Sequence, residues 1–391
     1  MHASTVMFAP SAPTIMSSPP FHGIHGACGY SCERGTPPLT RDILLQELPS
    51  FLDAWAEQRS IFSNGTRANM RNEGGNSLLH SFGLWALLRT IKPPFFVESG
   101  VAGGETSWLA RRATAAWKPT MVRIDPRKLG WEDDTPGATT HDFRGPTFQD
   151  FAKVPWASLG VDPARTFVLF DDHMDQLARL SQAAALGFRQ FVFDDNWMPG
   201  FGDLFSVKNA CDGGLGGASG PGGASSGCGG GRLRRTFSHK RHRCTTFHAK
   251  CEPATDAELA AARDEFLRLA EVYYEVPPLS WPAERKSGKP RSWYGTVNKW
   301  VGMNKYDGPH PWTANHTALV EASTKPPLFT MDELLERVTA AVRAVEAKEK
   351  ASGAKRVHQL AWADKIAKLE FLHAETQQYF HMAYVRTAKI E

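Results

Sequence analysis

The sequence predicts an α/β protein whose mostly parallel sheet is doubly wound, with helices on both faces. Three observations carry that prediction. Two apolar runs stop abruptly in acids, Thr166-Phe-Val-Leu-Phe-Asp-Asp-His173 and Phe191-Val-Phe-Asp-Asp-Asn196. The segment between them, Met174 to Gly187, carries Leu177, Leu180, Ala183, Ala184 and Leu186 at helical spacing. Upstream, Val97-Glu-Ser-Gly-Val-Ala-Gly-Gly-Glu-Thr106 reads as a strand, a glycine turn and a helix start. A strand–helix–strand unit within one sheet is parallel with a right-handed crossover. Repetition of such units makes a doubly wound sheet.

In chain order, residues 1–38 are rich in Ser, Pro, Gly and His, with no acid before Glu33. They read as a disordered segment; a transit peptide is the alternative, disfavoured because no arginine precedes Arg34. Residues 39–92 hold two helices. The first begins near Thr40 and places Leu44, Leu45, Leu48, Phe51, Leu52 and Trp55 at amphipathic spacing, with Pro49 expected to kink or split it. The second follows Gly74-Gly-Asn76 and stops at Pro93-Pro94. Residues 93–210 form the core unit. Its strands are Phe95 to Glu98, Met121 to Asp125 (ended by Pro126), a weaker Thr139 to Phe143, and the two acid-ended runs. A helix from Glu105 to about Ala116 follows the glycine turn.

Residues 211–252 make a flexible insert. Gly213 to Gly231 is nearly all Gly, Ser and Ala, and Arg232 to Arg243 is basic, so too little apolar surface exists to offset ordering entropy. Residues 253–350 read as an accessory helical region. One helix runs from Asp256 through Leu259, Phe266, Leu267 and Leu269, and another from Met331 to about Lys350, capped by Thr330. In residues 351–391, Ile366 to His373 and Tyr379 to Lys389 flank Ala374-Glu-Thr-Gln-Gln378 as an antiparallel hairpin completing the sheet.

At 391 residues the chain holds one large domain or two small ones. A net charge of +4 is too small to make nucleic acid the expected partner of the whole molecule. The basic run 232–243 offers a contact for RNA or an acidic membrane, with a solvated loop as the simpler reading. Six cysteines without dense pairing argue against a disulfide scaffold. Cys228, His239, His242, Cys244, His248 and Cys251 offer zinc ligands, but at no finger spacing. No apolar run is long enough to span a bilayer. The chain is expected to be soluble and cytoplasmic; organellar import or a secretory lumen, where Asn64-Gly-Thr66 and Asn315-His-Thr317 would accept glycans, is the alternative. Oligomeric state is not legible.

Parallel strands finish at one sheet edge, so Asp171, Asp172, Asp194, Asp195 and Asn196 gather where open α/β sheets bind ligands. Clustered carboxylates repel one another unless a cation sits among them, which points to a hard-metal site. At the glycine turn, Gly100 gives access to backbone angles closed to other residues and Gly104 lets a ligand approach closely. The helix N-terminus beyond favours an anion. Neither a Walker loop nor the dinucleotide Gly-x-Gly-x-x-Gly spacing is present. Asp125, at the end of the second strand, is placed to accept from two ribose hydroxyls; a helix N-cap ahead of Pro126 is the alternative.

Glu98-x-Gly100-x-x-x-Gly104-x-Thr106, Asp125, Phe148-Gln-Asp150, Leu169-Phe-Asp-Asp-His173 and Phe193-Asp-Asp-Asn196 resemble, in order and spacing, catechol O-methyltransferase and related metal-dependent O-methyltransferases. The turn and the Asp-Asp-His are also similar to the macrocin and rhamnosyl O-methyltransferases of bacteria. The resemblance covers roughly Gly74 to Asp203 and the final hairpin. It implies the Rossmann-like class I methyltransferase fold with a C-terminal antiparallel hairpin. It implies S-adenosylmethionine as cofactor, its methionine part held at Glu98, Gly100, Gly104 and Thr106, its ribose at Asp125 and its adenine bordered by the Gln149-Asp150 pair, with Phe148 before them. It implies Mg²⁺ or another divalent cation on Asp172, Asp195 and Asn196, aiming a small-molecule or sugar hydroxyl at the methyl group.

The catechol enzymes carry a lysine base three residues after the Asp of the Asp-His step, where this chain has Asp175. His173 is therefore the candidate base, with Asp175 as ligand, base or helix N-terminal acid. Asp171 and Asp194 read as caps or as partners of the ligands. Trp197, Met198 and Phe201 wall the acceptor pocket or pack as a loop. His80, in an apolar helical stretch, reads as an interior histidine. The expected function is a metal-assisted O-methyltransferase, with a metal-dependent hydrolase or hydroxylase, or a non-catalytic interaction protein, as alternatives.

Overall fold

A computed structural model describes residues 33–63, 78–128, 130–194, 196, 205–212, 242–243, 252–253, 255–280, 325–352 and 382–389. Two helices lead in, α1 (Arg41–Ser63) and α2 (Leu78–Ile91). Pro49 lies inside α1 without splitting it, and Leu48, Phe51 and Leu52 on either side are buried. Their burial, about 1.5–3 kcal/mol for each side chain, offsets the hydrogen bond that the proline removes.

The alternating region follows as β1 (Phe95–Ser99), α3 (Glu105–Ala113), β2 (Thr120–Asp125), β3 (Thr140–Arg144), β4 (Thr166–Phe170), α4 (Gln176–Ala185) and β5 (Gln190–Phe193). Then come α5 (Val207–Asp212), α6 (Asp256–Leu269), β6 (Ala270–Glu275), α7 (Met331–Ala351) and β7 (Ala383–Thr387). These seven strands form one sheet in the order β3-β2-β1-β4-β5-β7-β6. The first five are mutually parallel, and β7 runs antiparallel to both neighbours. This is the class I methyltransferase topology. His242–Arg243 and Glu252–Pro253 pair separately.

The antiparallel C-terminal part is present, but its partner differs from the expected one. β7 is paired along both sides, by β5 and by β6, whereas the partner expected from sequence is 366–373. That segment lies outside the described residues. The partner is Ala270–Glu275, inside a region expected to be helical. No turn residue separates it from α6: Leu269 ends the helix and Ala270 begins the strand. The open side of β6 is met by Arg34, whose backbone exchanges two hydrogen bonds with Tyr273, at 3.2 and 3.1 Å, covering an edge that would otherwise invite pairing.

Side chains alternate between two apolar layers along each strand. Phe96, Met121, Phe167, Leu169 and Val192 face α1, α2, α3 and α7. Val97, Val122, Val168, Phe170 and Phe191 face the layer of α4, α5 and α6. Both faces are therefore covered, and only the strand ends remain to build a site. Thr330 caps α7 in a reciprocal capping box with Glu333, as its sequence position predicts. Cys211 in α5 is disulfide-bonded. Among the described residues no helix is long and apolar enough to cross a membrane.

Candidate functional site

β1 ends in the turn that starts α3. Gly100 has φ +98°, and a Cβ there would stand 2.0 Å from the Asp171 carbonyl oxygen, so only glycine fits. Gly104, at φ +82°, is the residue before α3 and supplies no side-chain cap. The close approach it permits is made by the chain itself. Trp131 N donates to Gly103 O at 3.0 Å, and a Cβ on Gly104 would meet Trp131 at 3.2 Å. Gly103, by contrast, faces open space. Thr106 is buried in the first turn of α3.

Asp125, at the end of β2, reaches back to this turn. Its Oδ2 accepts from Val101 N at 3.0 Å and Ala102 N at 2.8 Å, and its Oδ1 from Arg127 N at 2.7 Å. Among the described residues no helix directly follows Pro126, and the carboxylate clasps the glycine turn and closes a two-residue side-chain turn in place of the N-cap alternative. Glu98, fully buried, accepts from the Ser107 hydroxyl through Oε2, while Oε1 has no hydrogen-bond partner among the described residues. Burial pushes its pKa up to about 8, against the opposing pull of Ser107, Arg123 and Arg144. Near neutral pH this carboxyl is mostly protonated.

On the β4 side, Asp172 Oδ2 accepts from the Ser99 hydroxyl at 2.8 Å and from Arg179 Nε at 3.0 Å. Arg179 projects from α4 and also forks onto Asp150, Nη1 to Oδ1 at 3.1 Å and Nη2 to Oδ2 at 2.7 Å. Gln182 Oε1 accepts from Nη1 at 2.7 Å. The Arg179 hydrogen bonds hold Asp150 below the usual carboxylate range, whereas burial raises Asp172 despite the same guanidinium. Phe148 is exposed and Gln149 half-buried just before Asp150, in the turn after β3. His173 adopts φ +52° between β4 and α4, a conformation uncommon for a non-glycine residue. Asp175 is the N-cap of α4, its Oδ1 accepting from Ala178 N at 2.9 Å. Of its three expected roles, the helix N-terminal acid is the one its hydrogen bond describes.

At the β5 end, buried Asp194 places Oδ1 2.5 Å from Nδ1 of buried His80, tying α2 to the strand end and giving the interior histidine its partner. Asn196, fully buried, donates from Nδ2 to the Tyr273 hydroxyl at 3.0 Å and accepts at Oδ1 from Lys208 N at 2.9 Å. Tyr273 in turn donates to Glu275 Oε1 at 2.7 Å, and Lys208 forms an ion pair with the same carboxylate. Asp195 lies outside the described residues, as do Trp197, Met198 and Phe201. So does the Cys/His group at 228–251, apart from His242.

The structure thus joins Glu98, Gly100, Gly104, Thr106 and Asp125 around one turn, and links Asp172 to Asp150 through a residue not anticipated from sequence. Arg179 follows the N-cap by one helical turn, so its reach back to the strand end was present in the spacing. Of the three expected metal ligands, Asp172 Oδ2 accepts from Ser99 and Arg179 and Asn196 Oδ1 accepts from a backbone amide, while Asp195 lies outside the described residues. Among the described residues no group of three or more His, Cys, Asp or Glu side chains is arranged to hold one. No protein-family model matches this chain, and no curated protein or solved structure is significantly similar to it.

Proposed function

We propose that this chain is an S-adenosylmethionine-dependent methyltransferase acting on a hydroxyl of a small molecule or sugar. The observation that carries the reading is the clasp of Asp125 on the β1 glycine turn, within a sheet of class I methyltransferase order. It brings the turn and the strand-end acid together at the edge where α/β sheets bind nucleoside-bearing ligands. Glu98 Oε1, buried without a partner two residues before Gly100, is a polar atom that a bound ligand would satisfy.

The cofactor supplies an electrophilic methyl group. The residues of this chain bind and orient: Asp125 towards the ribose, the α3 N-terminus towards the carboxylate, with Phe148 and Gln149 bordering the base. His173 accepts the proton of the acceptor hydroxyl. A divalent metal has no part in this reading, because Asp172 and Asn196, the two described members of the expected ligand set, already accept hydrogen bonds within the chain.

Calorimetric titration with S-adenosylmethionine tests the reading, and a protein that binds none of it ends it. Asp125→Ala is expected to weaken cofactor binding. His173→Gln is expected to spare binding and remove methyl transfer across a panel of phenolic and sugar acceptors. Equal loss of binding in both variants would contradict this division of roles.

A further inference from the structure

The carboxylates at the β4 end are compensated from within the chain. Arg179 places three nitrogens on two acids, Nε on Asp172 at 3.0 Å and a fork on Asp150 at 2.7 and 3.1 Å. Its side chain is only 8% exposed, so the pairing takes place out of bulk water. Gln182 fixes the guanidinium from its own helix, one turn further on. Asp175 caps that helix, so the arm carrying the charge starts from a rigid base.

An acid pair of this kind otherwise attracts a hard divalent ion, whose preferred ligands are carboxylate oxygens. The guanidinium differs in two ways: it delivers one unit of charge, and it delivers it as a planar fork of fixed donors rather than as a dissociable ion. We propose that Arg179 is the resident cation of this site, binding Asp172 and Asp150 in place of a divalent metal. The inference holds whatever cofactor the glycine turn accepts, because it concerns only the acids and the arginine. It also changes what an acceptor must offer. This consequence alone rests on the methyltransferase reading: a hydroxyl held beside Asp172 needs no second oxygen to complete a metal's coordination sphere, so a lone hydroxyl serves as well as a vicinal pair.

Manganese(II) binding to the full chain tests the proposal, read by the electron paramagnetic resonance signal of the free ion and by calorimetry. The wild type is expected to show no saturable binding up to about 1 mM, the weak end of protein sites for divalent ions. Arg179→Gln leaves two acids facing one another and is expected to bind Mn²⁺ about tenfold more tightly or better, since one unit of nearby positive charge is lost. Arg179→Lys keeps the charge and is expected to bind no better than the wild type. Saturable one-to-one binding to the wild type overturns the proposal, and that arm stands even if Arg179→Gln does not fold. A folded Arg179→Gln protein with no gain, or equal gains in the Gln and Lys variants, overturns it as well.

Discussion

The two halves of the carboxyl edge hold their acids by different means. Asp125 is held mainly by backbone N–H groups of Val101, Ala102 and Arg127, with the exposed Arg127 guanidinium 3.5 Å from Oδ1. Asp172, after β4 on the other side of β1, is held by side chains, Ser99 and Arg179. Backbone donors are placed by φ and ψ, so the turn half depends on its glycines and survives most side-chain changes. The acid half depends on one arginine that also serves Asp150. One half is built for constancy of shape, the other for a balance of charge that a single substitution upsets.

The largest effect that sharpens this contrast is expected from Arg179→Met. Removing one partner of a buried ion pair costs about 3–5 kcal/mol, and the half-buried Asp150 places this site near the lower figure. Urea denaturation measures it; a loss below about 1 kcal/mol, the worth of an ordinary hydrogen bond, would show that the acid half is as self-sufficient as the turn.

Glu98 gives the turn half its own electrostatic signature. An acid raised from its usual 4.5 to about 8 keeps its proton in the folded chain after the unfolded chain has lost it. Folding stability therefore falls as pH rises through that window and is fully present below it. Glu98→Gln has no proton to lose, so its advantage over the wild type should grow from pH 5 to pH 8, to on the order of 3 kcal/mol. A difference that stays flat across that range would remove the assignment.

Asp125→Asn keeps an acceptor for the turn amides while deleting the charge. The expected loss is about 1–2 kcal/mol, less than for Arg179→Met, because the donors remain partly satisfied. Thermal denaturation decides, and a loss exceeding that of Arg179→Met would invert the comparison. The smallest effect is expected at Asp175, where Ser also caps a helix: Asp175→Ser should stay within about 0.5 kcal/mol of the wild type, and Asp175→Ala should lose about 1 kcal/mol. Normal stability of Asp175→Ser with abolished methyl transfer would assign the residue to chemistry instead of capping.

Much of this edge was legible in the chain. Apolar runs stopped by acids marked β4 and β5, Pro126 marked the end of β2, and Thr330 marked the start of α7. Each signal is local, acting within a few residues of where it is written. β6 was not legible, because it follows α6 without a turn residue and its Tyr, Val and Glu carry no clear alternation. The clasp of Asp125 was half legible: the acid was singled out, but the amides it meets lie 23 and 24 residues earlier. Nor did spacing reveal that Trp131 would fill the approach left open by Gly104.

By itself, then, the sequence determined the alternating elements, the two-layered core and the line of acids along one sheet edge, since periodicity and strand terminators act over a few residues. Tertiary structure alone decided which strand flanks β7, which amides close on Asp125 and which cation answers Asp172. Those depend on groups far apart along the chain meeting at contact distance, where a charge or a hydrogen-bond partner is counted by position in space and not by position in sequence.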